Sequence, residues 1–258
     1  MALKNNKSLG QHWLRDRDIL RDIANEAQLT ERDTVLEIGP GLGTLTSELL
    51  RQAGGVVAVE FDADLARKLP GQFPGTNLTV VNEDILHFNL DVLPANYKVV
   101  ANVPYYITSK IVERLMTAKN KPSIAVLLVQ KEVAERMAAT PGDMSILAIA
   151  TQVYANVHMG NIVPAEFFTP PPKVDSAVVV MERREHPLIT VEDEQRFFRI
   201  IKAGFSAKRK KLRSSLAGGL ALSKIETEAL LVQADISPDN RAEDLSIDDW
   251  KRLMERLR

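Results

Sequence analysis

The chain has 258 residues, 45% apolar and 26% charged, with a formal net charge of −1 and no cysteine. That length can bury one full core and carry a small second domain, which leaves room for an enzyme. Disulfides, cysteine-ligated zinc and a thiol nucleophile are excluded, near-neutral charge gives no bulk attraction to nucleic acid, and no apolar run is long enough to span a bilayer.

Met1 to Leu14 is basic and polar and lacks the apolar core of a signal peptide, so a cytoplasmic protein is expected. Its end, Gly10-Gln11-His12-Trp13-Leu14, leaves an indole and a leucine that water does not favour, so this segment should dock on the fold. His12 reads either as a ligand contact or as a packed polar residue, and no metal-ligand spacing surrounds it. Asp16 to Ala27 follows as a helix, with Asp16 as N-cap and Ile19, Leu20, Ile23 and Ala27 on one face.

Val35, Leu36 and Ile38 form a short apolar run, Gly39, Gly41 and Gly43 alternate after it, and Thr44 to Ala53 has helical character. This strand, turn and helix suit a nucleotide-type ligand: glycine backbone comes close to a bound group, and a helix N-terminus offers unpaired N–H groups. The Gly-x-Gly-x-Gly spacing differs from dinucleotide and phosphate-loop patterns. Glu37, just before it, would repel a pyrophosphate and suit an ammonium or a sulfonium. S-adenosylmethionine (SAM) carries both, although the loop alone leaves the ligand open.

Val56 to Val59 is the next strand, ending in Glu60, where a carboxylate can accept from two ribose hydroxyls. Leu78 to Val81 leads into Asn82-Glu83-Asp84, putting Asp84 where an adenine amine could donate to it. Either acid could simply be a cap. Val99 to Val103 then breaks at Pro104, followed by Tyr105 and Tyr106. Proline stops the strand, so the Asn102 side chain and the Pro104 carbonyl can face one cleft as acceptors for an exocyclic amine while Tyr105 stacks on the base. The bland alternative is a strand-end turn with a packed tyrosine.

Further on, Ser109–Thr117, Lys131–Ala139 and Ser145–Gln152 read as helices, and Ile124–Val129, Ala155–Val163 and Ser176–Arg183 as strands. The Pro170-Pro171-Pro172 loop would hold Phe168 by the cleft opposite Tyr105, unless Phe168 is a buried loop aromatic. After a linker at Glu185–Thr190, helices are expected over Val191–Phe205, Lys208–Ala217, Lys224–Ala234 and Ile247–Leu257. From Gln195 to Ile225 there is no acidic residue. The run Lys208, Arg209, Lys210, Lys211 and Arg213 is therefore a candidate RNA-phosphate patch, or else a solvated helix face.

The ordered set Gly10 to Leu14, Glu37 to Gly43, Glu60, Asn82 to Asp84, Asn102 to Ser109 and Phe168 to Val178 resembles the ribosomal RNA adenine N6,N6-dimethyltransferases of the bacterial KsgA type, over nearly the whole chain. Trp13 and Val103 depart mildly from that pattern. The resemblance implies a Rossmann-like SAM-dependent methyltransferase sheet, which agrees with the α/β pattern of strands and helices and with a small C-terminal all-helical domain, the linker dividing the chain into residues 1–185 and 191–258. It implies SAM as cofactor, contacted by His12, Leu14, Gly39, Glu60, Asp84 and Asn102; the loop reading adds Glu37, Gly41 and Gly43 as cofactor-binding candidates, and the residue spacing suggests no metal. The implied substrate is a pair of adjacent adenosines near the 3′ end of small-subunit rRNA in a partly assembled 30S particle, met by a cytoplasmic monomer without membrane contact. An RNA-binding assembly factor with secondary methylation, a related large-subunit resistance enzyme and an adenine-specific DNA methyltransferase are the alternatives. The last lacks support because no separate DNA-recognition domain is visible.

Overall fold

The computed structural model describes residues 12–207 and 209–257. In chain order the elements are β1 (Trp13–Leu14), α1 (Arg17–Glu26), β2 (Thr34–Ile38), α2 (Thr44–Leu49), β3 (Gly55–Glu60), α3 (Ala63–Lys68), β4 (Leu78–Asn82), β5 (Lys98–Asn102), α4 (Thr108–Thr117), β6 (Ile124–Gln130), α5 (Lys131–Met137), α6 (Ile146–Gln152), β7 (Ala155–Val163), β8 (Phe168–Thr169), β9 (Ser176–Arg183), α7 (Val191–Gly204), α8 (Leu212–Leu220), α9 (Lys224–Gln233) and α10 (Ile247–Arg256). They group into two compact units, residues 1–135 with 156–183, and residues 136–155 with 184–258.

The first unit is built on a seven-stranded sheet in the order β4-β3-β2-β5-β6-β9-β7. The five strands from β4 to β6 are parallel, and β9 runs antiparallel to β6. Strands covered on both faces need apolar side chains at successive positions, and β6 has five buried residues in a row from Ala125 to Val129. Successive strands step outward from β2 in one direction through β3 and β4, and in the other through β5 and β6. The crevice beyond the carboxyl ends of β2 and β5 is thus the switch point at which open α/β sheets bind ligands. Asp16 caps α1 by accepting from the Asp18 and Ile19 N–H groups, and Leu20, Ile23 and Ala24 bury its inner face.

Docking of the N-terminal segment takes a specific form. β1 pairs antiparallel with β8, Trp13 opposite Thr169 and Leu14 opposite Phe168. Leu14 and Phe168 are each 2% exposed and join the core with Leu20, Val100 and Val178. Gly10 and Gln11 lie outside the described residues.

In the second unit, residues 136–155, which the sequence assigns to the first domain, fold with the C-terminal helices. Backbone bonds hold them there: the Gly142 and Met144 N–H groups donate to the Glu243 carbonyl, Leu188 N–H to Val153, and Arg184 N–H to Tyr154. Trp250 is fully buried in this unit, and a Cβ on Gly204 would lie 2.3 Å from its ring, so only glycine fits at that point of α7. The helix expected from Lys208 begins instead at Leu212. A run of cations opposes the positive end of a helix, so Arg209 and Lys210 stay in the preceding turn, and Lys208 lies outside the described residues.

Candidate active site

One cavity opens beyond the ends of β2, β3, β4 and β5. It gathers His12, Leu14, Glu37, Gly39, Gly41, Glu60, Asp84, Asn102, Pro104 and Tyr105 from widely separated parts of the chain. The turn after β2 shapes its floor. Gly39, Gly41 and Gly43 all have positive φ, at 66°, 56° and 77°, where side chains are strained. A Cβ on Gly39 would meet nothing within 4 Å, so the space beside it is open. Gly43 differs from the expectation: it does not line the cavity, and a Cβ there would fall 2.7 Å from Leu69 and 2.9 Å from Phe73. Its role is to let the start of α2 close against the segment after α3.

Glu37, on β2, is 1% exposed and accepts a 2.6 Å hydrogen bond from the Thr46 hydroxyl. Burial, opposed by that bond and reinforced by the Glu60 charge, raises its pKa from the ordinary 4.5 to about 8. Burial therefore favours the protonated acid in the free protein at neutral pH, in place of the ready negative charge expected from the sequence, and a cation beside Glu37 would favour the carboxylate. Because the folded-state pKa lies above the unfolded one, ionisation opposes folding. That cost is absent below pH 4.5, grows between pH 4.5 and 8, and saturates at about 5 kcal/mol. Glu37→Gln, which keeps an acceptor for Thr46, should match the parent melting temperature near pH 5 and exceed it by roughly 5–10 °C at pH 8.5. Parallel melting curves for the two proteins across that range would contradict the protonated state.

Glu60 closes β3 at 6% exposure. Its Oε1 accepts from the Asp62 N–H at 2.9 Å and its Oε2 from the Gly41 N–H at 3.0 Å, so it ties the glycine turn to the neighbouring strand. Burial still raises its pKa above the ordinary value. Each oxygen keeps a further lone pair for a donor in the cavity. Asp84, beyond β4, accepts from the Leu86 N–H at 2.9 Å through Oδ1, while Oδ2 lies 3.6 Å from His87 Nδ1.

The catalytic corner follows β5. Asn102 donates through Nδ2 to the His12 carbonyl at 3.2 Å, which fixes the amide and leaves Oδ1 as an acceptor. His12 Nδ1 lies 2.7 Å from the Pro170 carbonyl, so Nδ1 carries the proton, and its ring stacks at 5.9 Å on Tyr105. The Tyr105 hydroxyl lies 2.6 Å from the fully buried Ser176 hydroxyl, which pins the ring. The Pro104 carbonyl, expected as the second acceptor, is engaged by the Ile107 N–H at 3.2 Å and the Thr108 hydroxyl at 3.4 Å. Val103 also lines the cavity, and no hydrogen bond to its carbonyl exists among the described residues. That carbonyl is the freer acceptor, and it is not legible in the sequence because side-chain chemistry does not report which carbonyl a turn consumes. Phe168 is corrected as well: pairing of β8 with β1 sends its ring into the core and not onto the cavity wall.

In the second unit the basic run is less free than it reads. Lys211 pairs with Asp239 at 2.8 Å, and Arg213 with Glu228 at 3.1 Å and Asp239 at 3.5 Å. Arg209 and Lys210 are exposed, with no ion pair among the described residues.

The model of the family described as "Ribosomal RNA adenine dimethylase" matches residues 2–258. The chain is 43% identical to the ribosomal RNA small subunit methyltransferase A of Dehalococcoides mccartyi, across 98% of this chain and 88% of that protein. Among solved structures it is similar to the 23S rRNA methyltransferase ErmE, with 32% identity, a TM-score of 0.79 and coverage of 95% of this chain and 99% of that one. It is also similar to a dimethyladenosine transferase from Plasmodium falciparum, with 29% identity, a TM-score of 0.81 and coverage of 94% and 96%.

Proposed function

The chain belongs to the ribosomal RNA adenine dimethylase family, and from that membership we propose that it dimethylates the N6 amino groups of two adjacent adenosines near the 3′ end of small-subunit rRNA. The observation that carries this reading is the meeting, in one cavity at the switch point, of a glycine turn flanked by Glu37 and Glu60 with the Asn102 to Tyr105 corner. The residues fit the family's cofactor: open space beside Gly39, a buried acid poised to ionise beside a cation, and Glu60 lone pairs suited to ribose hydroxyls. When bound, SAM supplies a methyl group on a sulfonium, already an excellent methyl donor.

The protein's own part is to hold and orient the base. An adenine amine is a poor nucleophile because its lone pair is delocalised into the ring. Acceptance of its two N–H bonds by Asn102 Oδ1 and the Val103 carbonyl favours the pyramidal, nucleophilic form, and Tyr105 stacks on the flipped base. With SAM held by Glu37, Gly39, Gly41 and Glu60, transfer of its methyl group would place the new bond on the oriented amine, whose surplus proton can leave to solvent. No strong base is needed, and the monomethyl product retains a lone pair and one N–H, so the corner can act twice.

The helical unit is the candidate RNA-holding part, acting on a partly assembled 30S particle in the cytoplasm as a monomer. Phosphate contacts supply affinity and salt dependence more than sequence choice. Replacing Arg209 and Lys210 together with alanine should flatten the slope of log affinity against log salt by roughly 1.5 and leave SAM binding intact. Lys211→Ala should change the slope less, because that side chain is already paired with Asp239. Equal slopes for parent and double variant would return the run to a solvated surface. Similarity to ErmE keeps a large-subunit target as the second reading. Primer extension on both rRNAs from a strain lacking this gene, with and without its return, separates the two: the small-subunit stop should depend on the gene, and a gene-dependent stop confined to the large subunit would favour the second reading.

A further inference from the structure

Tyr106 lies next to the pinned Tyr105 and lines the same cavity, yet the residue is 65% exposed. No hydrogen bond or ring contact is recorded for it among the described residues, whereas Tyr105 is held by Ser176 and His12. A large aromatic at the mouth of a cavity that receives a flipped base faces a specific need. Pulling one nucleotide out of a strand strips its neighbour of a stacking partner, and an aromatic side chain replaces that partner without regard to base identity. Tyr106 belongs to the short turn Tyr105–Ile107 that runs directly into α4. Lys110, in the first turn of α4, is exposed and forms no ion pair among the described residues.

We propose that Tyr106 is the platform for the nucleotide adjacent to the target adenosine, with Lys110 contacting the phosphate beside it, so that the rRNA strand leaves the cavity along α4. The proposal rests on the rRNA adenine reading and adds to it the place of the second adenosine. A platform that reads only the face of a base has a useful property here. A dimethylated adenine has lost both N–H donors but keeps its π-face, so Tyr106 accepts the neighbour before and after its own methylation, and the two adenosines can exchange places. Lys119 lines the groove that also contains Lys110 and lies near the far end of α4, which extends the positive track, while Glu113 and Asp91 in the same groove confine phosphate contact to the lysine positions.

The test uses the full-length protein, labelled SAM and unmethylated small ribosomal subunits, with the methylation state of each adenosine resolved after digestion. Tyr106→Ala should raise KM for the subunit about ten-fold or more, with kcat and SAM affinity within two-fold of the parent, and Tyr106→Phe should restore the parent KM. Lys110→Ala should lower the salt slope of subunit binding by about one. An unchanged KM for Tyr106→Ala with active parent enzyme overturns the platform. So does a matching loss of SAM affinity, which would make Tyr106 a wall of the cofactor cavity. If the parent enzyme itself transfers no methyl group to the small subunit, the rRNA reading fails and the platform with it.

Discussion

Asn102→Ala should lower methyl-transfer turnover by about 10²- to 10³-fold, the cost of losing one preorganised polar group aimed at the reacting atom. The side chain has two jobs that must be told apart. Nδ2 holds the His12 carbonyl, and Oδ1 is free to accept from the target amine. If its main task were to position His12, the variant would lose SAM affinity along with turnover, since His12 lines the cavity. A loss confined to kcat, with SAM and rRNA binding within about three-fold of the parent, is the expected signature of acceptance from the amine. Near-normal dimethyladenosine formation by the variant would remove Asn102 from the chemistry.

Glu60→Ala should weaken SAM binding by about ten-fold or more. The two charge-assisted hydrogen bonds proposed to the ribose hydroxyls would be worth roughly 1.5–3 kcal/mol each before water compensates. A second loss is internal, because the Gly41 and Asp62 N–H groups both lose their acceptor and the glycine turn is no longer tied to β3. Glu60→Gln separates the two contributions: its amide oxygen still accepts from one backbone N–H, but the ionic component of the ribose bonds is gone. Calorimetric titration should therefore rank parent, Gln and Ala in falling affinity. A folded Glu60→Ala protein that binds SAM as the parent does would show that the ribose sits elsewhere.

Much of this site was legible because its residues sit where a regular pattern ends. Apolar runs marked β2, β3, β4 and β5, and the residues at or just beyond their ends, Gly39, Glu60, Asp84 and Asn102, became the cavity lining. What escaped the sequence depends on partners far along the chain. Two-residue strands such as β1 and β8 have no periodicity to detect, so neither their pairing nor the burial of Phe168 could be read. The protonation of Glu37 follows from complete burial, which a strand-end position does not reveal. The stretch from Gln195 to Ile225 contains no acid, yet Glu228 and Asp239 fold back onto Arg213 and Lys211 from outside that window. The unit boundary likewise shifts because α6 bridges β6 and β7 in sequence while its loop bonds Glu243.

The most direct measurement is positional: incubate the purified protein with labelled SAM and ribosomal subunits lacking these modifications, digest the rRNA, and identify the labelled nucleosides and their sites by mass spectrometry. The account predicts N6,N6-dimethyladenosine at two adjacent adenosines near the 3′ end of small-subunit rRNA, with monomethyladenosine as a transient. Label on cytosine, on a ribose hydroxyl, or only on large-subunit rRNA would contradict it.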